Sequence, residues 1–142
     1  MKASSRNSYS GKVTRLESGT LSTEVEIQLE SGEKLYAQVT RPSSQKLGLE
    51  PGKNAVALVK AAEIMLVTEA DDYILSCRNQ FAGKIVKLTR GFVSSEILIQ
   101  TPSGLRMNAV ISLEGTDRMA LEEGSPVVAM FKTSSVVLAV KK

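Results

Sequence analysis

Sliding the 142-residue sequence by 72 positions lays residues 4–66 over residues 76–138 without a gap, and 21 of the 63 pairs are identical. A register held over a whole unit marks a duplicated module, and it limits the possible folds more than any other feature of the chain. Ser4-Ser5-Arg6-Asn7 returns as Ser76-Cys77-Arg78-Asn79, Gly11-Lys12 as Gly83-Lys84, Ile27-Gln28 as Ile99-Gln100, and Val56-Ala57 with Lys60 as Val128-Ala129 with Lys132. The expected organisation is a first module over 1–67, a short acidic and polar linker over 68–75, and a second module over 76–142. A unit of about 65 residues buries a limited core and is marginal alone. Each copy is therefore expected to lean on its partner or on other subunits.

Within each copy the apolar residues recur with period two. Leu21, Thr23, Val25, Ile27 and Leu29 alternate with Ser22, Glu24, Glu26 and Gln28, the pattern of a half-buried strand. Ser31-Gly32 supplies a turn, and Leu35, Ala37 and Val39 continue on one face of a return strand. The second copy repeats this with Val93, Ile97 and Ile99, the turn Pro102-Ser103-Gly104, then Met107, Ala109 and Ile111. Tyr9, Gly11 and Val13, like Phe81, Gly83 and Ile85, mark a first strand. Pro51-Gly52 precedes two apolar runs, Ala55–Val59 and Ile64–Val67, and Ser43–Leu47 suits a single helical turn. The predicted fold class is all-β: two tandem OB-like five-stranded β-barrel modules, each with a short helix.

Composition removes whole classes of function. There is no histidine, so the commonest general base, the Ser-His and Cys-His nucleophile pairs and the usual catalytic zinc ligands are all missing; the chain reads as no enzyme. The single cysteine, Cys77, has no intrachain partner, as in a reducing compartment. No apolar run approaches the roughly 20 residues of a membrane span, and Met1 to Asn7 lacks the apolar stretch of a signal peptide. The expected location is cytoplasmic, with no membrane partner. A net charge of +3 with interspersed signs is mild for nucleic acid. An OB module that binds nucleic acid is the rival from another class, but it would stack bases on aromatic platforms. Here there is no tryptophan, and Tyr9, Phe81 and Phe131 read as core.

Duplicated apolar residues and glycines follow from core and turns; duplicated polar residues ask for more. Arg6-Asn7 precedes the first strand, where a turn with a solvated arginine would suffice. Lys60 closes the run Ala55–Val59, where it could simply extend off a strand end. Glu24, Gln28 and Lys12 suit a solvated face, and Cys77 a small buried thiol. Taken together, however, Ser4, Arg6 and Lys60 form a set of donors without acceptors: two fixed positive charges and a hydroxyl, beside free backbone N–H groups at a strand start. Such a set suits a tetrahedral dianion. Charge-assisted hydrogen bonds contribute roughly 1.5–3 kcal/mol each, so five or six could outweigh dehydration of the anion. No carboxylate cluster stands ready for a hard cation, nor any softer ligand set for a transition metal. A metal would enter as an oxyanion, not as an ion with protein ligands.

The ordered motifs Ser4-Ser5-Arg6-Asn7, Gly11-Lys12-Val13, Gly19-x-x-Ser22-x-Glu24-Val25, Val39-Thr40-x-x-Ser43, Leu47-Gly48-Leu49-x-x-Gly52 and Val59-Lys60-Ala61 resemble the molbindin (Mop) family, and their tandem arrangement resembles a di-molbindin. The resemblance covers residues 4–66 and 76–138. It implies a threefold particle of six modules, a homotrimer of tandem chains, that holds molybdate or tungstate between modules for storage and homeostasis. Carried over, the first-repeat site is Ser4, Arg6, Lys60 and Ala61 facing Thr40, Ser43 and Ser44. The second-repeat site is Ser76, Arg78, Lys132 and Thr133 facing Ser112, Gly115 and Thr116. Axial anion sites would be lined by Gly19-Thr20-Leu21-Ser22 and Gly91-Phe92-Val93-Ser94. Serine stands at Ser22 and Ser94 where the family usually has asparagine. Gly115 replaces Ser43, leaving Thr116 to supply that hydroxyl, and Leu121-Glu122-Glu123-Gly124 lacks the full L-G-L. The two kinds of interface site are accordingly expected to differ in affinity. Modules of this family also act as molybdate sensors in regulators. The absence of a helix-turn-helix segment and of a G-x-x-x-x-G-K-[ST] loop favours storage over sensing.

Overall fold

A computed structural model describes residues 1–5 and 7–142; Arg6 lies outside the described residues. The chain forms β1 (Asn7–Ser18), β2 (Ser22–Leu29), β3 (Lys34–Thr40), α1 (Arg41–Leu47), β4 (Asn54–Val59) and β5 (Met65–Val67). The pattern then recurs as β6 (Asn79–Arg90), β7 (Ser94–Gln100), β8 (Arg106–Ser112), α2 (Leu113–Arg118), β9 (Pro126–Phe131) and β10 (Val136–Ala139). A one-turn 3-10 segment precedes the last strand of each set, Ala61–Glu63 before β5 and Thr133–Ser135 before β10.

Strand pairing departs from the sequence repeat at one point. One five-stranded sheet runs β10-β4-β1-β2-β3 and the other β5-β9-β6-β7-β8. The fifth strand of each sheet thus comes from the other repeat. Val136 to Ala139 pair with Val59 to Val56, and Met65 to Val67 pair with Met130 to Val128. The compact units are Met1–Val59 with Lys132–Lys142, and Lys60–Phe131. The modules read along the sequence, 1–67 and 76–142, are units of repetition, and the compact units exchange their ends. Hydrophobic alternation places a strand on a sheet but does not say which of two similarly patterned edges it joins. Between the repeats the chain turns at Ala70, whose carbonyl accepts the Tyr73 N–H at 2.9 Å.

Each sheet curls into an OB-like barrel by bending its long first strand. The N-terminal half of β1 pairs with β4 and its C-terminal half with β2, and the β1–β2 register slips between Val13 and Arg15. β6 does the same between Ile85 and Lys87. A bulge adds twist and turns a strand through a corner. Gly11 and Gly83 sit just before these bulges because nothing larger fits: a Cβ on either would lie 2.5 Å from the carbonyl oxygen of Gln28 or Gln100. In the first unit β10 packs beside β3, bringing the sheet edges together.

The inward residues fill the barrels: Val25, Ile27, Leu35, Ala37, Ala57 and Val59 in the first unit, and Ile97, Ile99, Met107, Ala109, Ala129 and Phe131 in the second. Phe81 and Phe131 stack with ring centroids 5.8 Å apart. Tyr9, expected in the core, is only half-buried. Its hydroxyl donates to Asn7 Oδ1 at 3.1 Å, and burial raises its pKa above the ordinary tyrosine value. Leu21 and Val93, expected as inward strand residues, are instead exposed in the loops before β2 and β7. The alternation runs past the true strand start there, since Gly19 and Gly91 already close a turn.

The exchange makes a stability prediction. Leu138 is buried in the first unit although it belongs to the second repeat. Leu138→Ala should cost about 2–4 kcal/mol in urea unfolding. By hydrogen exchange it should deprotect the amides of Val56 to Val59 while leaving those of β9 protected; the reverse pattern would show that the fifth strands are not exchanged.

Candidate functional site

The segment that leads into β1 is fixed by a side chain that the duplication does not single out. Ser5 Oγ donates to the Val59 carbonyl at 2.6 Å and lies 3.1 Å from the Asn7 carbonyl. In the second repeat Cys77 takes its place, with Sγ 3.1 Å from the Phe131 carbonyl and 3.7 Å from that of Asn79. Ladder pairing adds to this hold, Asn7 opposite Val59 and Asn79 opposite Phe131. Asn7 and Asn79 are buried, so these strand starts are parts of the core. The residue after Val59 is Lys60 and the residue after Phe131 is Lys132. The tether therefore holds Ser5 and Cys77 at the strand ends that precede Lys60 and Lys132 in the sequence. Ser5 and Cys77 are positioning residues that sequence reading missed; the available signal was a small donor at matched positions directly before Arg6 and Arg78.

Lys60 and Lys132 are exposed, and their ammonium groups have no partner among the described residues. Ser4 and Ser76 are exposed as well, and so is Arg78, which has a partner within the protein. Arg6 lies outside the described residues. Ala61 and Thr133 open the 3-10 segments, each half-buried. Among the described residues no group of three or more His, Cys, Asp or Glu is placed to hold a metal ion.

The residues expected to face these donors fall in the first turns of α1 and α2, and the two turns differ. In α1 the Thr40 hydroxyl accepts the Ser43 N–H at 3.3 Å and donates to Ser43 Oγ at 2.8 Å; Thr40 and Ser43 are exposed and Ser44 half-buried. This turn carries no acidic residue. In α2 the Ser112 hydroxyl accepts the Gly115 N–H at 3.0 Å. Gly115 and Thr116 are buried, and the turn carries Glu114. Thr116 Oγ1 lies 2.9 Å from the Ser112 carbonyl and 3.0 Å from Ser95 Oγ. The hydroxyl expected to stand in for Ser43 is therefore turned into its own unit and committed there. The helix ends differ too. α1 stops at Gly48 in the left-handed region (φ 62°), whereas the matching Ala120 is forced to φ 50°, at a cost of roughly 1 kcal/mol relative to glycine.

In the loops expected to line axial sites, the Gly19 N–H donates to the Ser22 carbonyl at 2.7 Å and the Gly91 N–H to that of Ser94 at 2.8 Å. Ser22 Oγ accepts from Gln38 Nε2 at 3.2 Å. Leu21, Phe92 and Val93 project from these loops, Phe92 fully exposed, so the loops offer apolar surface beside the serines. A separate groove of about 1050 Å³ in the first unit, lined in part by Lys12, Gln28, Lys53 and Lys141, contains none of the expected site residues.

Thr116→Val separates structure from ligand binding. It keeps the shape but strands the Ser95 hydroxyl, and should lower stability by about 1–3 kcal/mol in urea unfolding. Anion uptake should be unchanged; a loss of binding without loss of stability would return Thr116 to the site.

A family model for the TOBE domain matches residues 3–66 and again 75–138. The molybdate-bound crystal structure of the cytoplasmic molybdate-binding protein ModG superposes with a TM-score of 0.95, at 35% identity, covering 99% of this chain and 100% of that one. The molybdenum transport protein ModE of Azotobacter vinelandii is 37% identical over 99% of this chain and 52% of its own length. The molybdenum-pterin-binding protein MopA of Rhodobacter capsulatus is 36% identical over 98% and 52%. The chain thus spans about half the length of the curated relatives it matches. With both repeats matched by one domain family and the whole fold shared, the chain belongs to the TOBE-domain family as a tandem molbindin.

Proposed function

We propose that this protein binds molybdate or tungstate as an intact oxyanion, through hydrogen bonds alone, and that it stores the anion and buffers its supply in the cytoplasm. The observation that carries this reading is the doubled donor set. Twice in one chain the middle residue of a Ser-x-Arg motif bonds through a hydroxyl or thiol to the end of a strand that leads into a lysine without a partner among the described residues. The bound molybdate in ModG, whose fold this chain shares over its full length, supports the choice of ligand. Tetrahedral molybdate accepts hydrogen bonds at all four oxygens and, fully deprotonated at neutral pH, has none to donate. A pocket of ammonium, guanidinium, hydroxyl and backbone N–H groups matches it without leaving an acceptor unpaired.

Ser4, Arg6, Lys60 and Ala61 form the first-repeat set, completed by Thr40, Ser43 and Ser44 of a neighbouring copy. Ser76, Arg78, Lys132 and Thr133 form the second, completed by Ser112 and the backbone at Gly115. Three chains closing around a threefold axis satisfy every such set, because a heterologous contact that closes repeats without leaving an open end. The exposed Leu21, Phe92 and Val93 are suited to apolar contact between copies near that axis. Gly19, Ser22, Gly91 and Ser94 would then line weaker axial anion sites.

A second reading is favoured by the relatives. The Escherichia coli DNA-binding transcriptional dual regulator ModE is 28% identical over 98% of this chain, which covers 52% of that protein. A tandem molbindin can therefore form part of a regulator, and the same anion sites would then serve sensing.

Calorimetry with sodium molybdate and native mass spectrometry test the proposal together. Three chains per particle with bound oxyanion are expected; a monomer that takes up neither molybdate nor tungstate would refute it. Lys60→Ala and Lys132→Ala should each remove one class of site, weakening it about 10- to 100-fold, while changing stability by less than about 0.5 kcal/mol. Sulfate, a smaller anion, should compete poorly, because a rigid ring of donors is left underpaired around it.

A further inference from the structure

The outer face of the first sheet carries a groove that the oxyanion sets do not use. Ladder pairing puts Ser10 of β1 opposite Val56 of β4, and Val56 opposite Ala139 of β10. Residues paired across a ladder share one side of the sheet, so these three form a row. Their inward neighbours Ala55, Ala57 and Leu138 are buried, which makes this the outer side. Lys12 lies two residues beyond Ser10 and so on the same side. Lys141 lies two residues beyond Ala139. All of the row, together with both lysines, borders the groove of about 1050 Å³. Val56, Ala139 and Val140 are half-buried and give it an apolar floor, while Lys12 and Lys141 are exposed at its rim. Lys53 borders it from the turn before β4. None of the three lysines belongs to an ion pair among the described residues, although Glu30 borders the same groove.

The second repeat keeps the framework and not the charges. Val56 matches Val128 and Lys12 matches Lys84, but Ser10 matches Ala82, Lys53 matches Ser125 and Lys141 matches Glu69. A barrel of this kind therefore closes without Lys53 and Lys141. Their gathering around one groove is a property of the first unit alone.

We infer that this groove is a separate ligand site of the first unit, for an organic anion that joins a phosphate or carboxylate head to an apolar body. Sites for small organic ligands enclose about 300–1,000 Å³, with apolar walls and a few placed polar groups, and this groove stands at the top of that range. Lysine ammonium groups only donate, so the head they hold must only accept. A bare inorganic oxyanion would engage the lysines and leave the floor in water. A neutral apolar molecule would cover the floor and leave the lysines without a counter-charge. The site lies wholly within one compact unit and shares no residue with either oxyanion set.

The test is a calorimetric titration of the full chain with naphthyl phosphate and with naphthoate, each with and without saturating molybdate. Saturable binding is expected in both conditions, and the tighter of the two probes names the head. Naphthol and inorganic phosphate, the body and a head alone, should each bind at least about tenfold more weakly. K12A/K141A should weaken the preferred probe about tenfold, whereas Lys84→Ala should leave it unchanged. Glu30→Gln, which removes the one carboxylate at the rim, should tighten it about two- to threefold, a gain that damage to the fold cannot imitate. Displacement of the probe by molybdate would put it in the oxyanion sets and overturn the assignment. So would the failure of both naphthyl anions to bind, or equal binding by K12A/K141A.

Discussion

Val59 is the last residue of β4 and is fully buried, so its carbonyl needs a partner within the protein. Here it accepts the Ser5 hydroxyl at 2.6 Å. That bond fixes Ser5, just before β1, at the place where β4 stops, and the Phe131 carbonyl does the same for Cys77 before β6. A thiol replaces a hydroxyl without loss of position because either atom need only reach one carbonyl. The tether brings the start of β1 to the residue before Lys60, and the start of β6 to the residue before Lys132, each more than fifty positions along the chain. Lysine carries a long, mobile side chain, and in the proposed anion site a backbone fixed at its root would lower the entropy lost on binding.

The exchange of fifth strands changes what each compact unit contains. The first unit holds α1, with the exposed Ser43, and the segment Lys132–Ser135, in which Ser134 is exposed and Thr133 and Ser135 are half-buried. The second holds α2, whose threonine is buried, and the segment Lys60–Glu63, with a carboxylate and no hydroxyl. Two repeats that look evenly matched along the sequence therefore become one unit rich in hydroxyl donors and one poor in them. Neither four-strand set is complete without the strand contributed by the other repeat, which is how the chain meets the difficulty that a unit of about 65 residues has in burying a sufficient core.

Much of this was legible in the residues. Period-two alternation located β2, β3, β7 and β8, because a half-buried strand must alternate. The turns at Ser31-Gly32 and Ser103-Gly104 announced themselves through glycines that the structure places at φ 97° and 94°. The helical segment at Ser43–Leu47 emerged as α1, only two residues longer at its start. What stayed hidden was set by tertiary pairing. Leu21 and Val93 continue an apolar alternation and yet lie outside the strands, because the glycine turns two residues earlier have already fixed where the ladder begins. The fate of Thr116 depends on Ser95, 21 positions away, and no local pattern reveals that a hydroxyl has been spent. The exchange of β5 and β10 is invisible for a different reason: both repeats carry the same apolar alternation, with Val56-Ala57 matching Val128-Ala129, so the pattern does not distinguish the two edges.

Divergence after duplication has left the backbone almost untouched and moved the side chains. The bulges, the glycines that pass close to Gln28 and Gln100, the tethers and the 3-10 turns all recur in place. These are the features that a barrel cannot give up, since a Cβ at Gly11 or Gly83 would overlap a carbonyl oxygen. The positions that have drifted are ones whose side chains the shared backbone does not depend on: Ala61 against Thr133, Ala62 against Ser134, Ser43 against Gly115. Even Ala120, held in a backbone conformation that favours glycine, is tolerated, because roughly 1 kcal/mol is a small part of a domain's 5–15 kcal/mol. A scaffold that fixes the strand ends before Lys60 and Lys132, while leaving the neighbouring side chains to vary, lets the two repeats diverge without rebuilding either barrel.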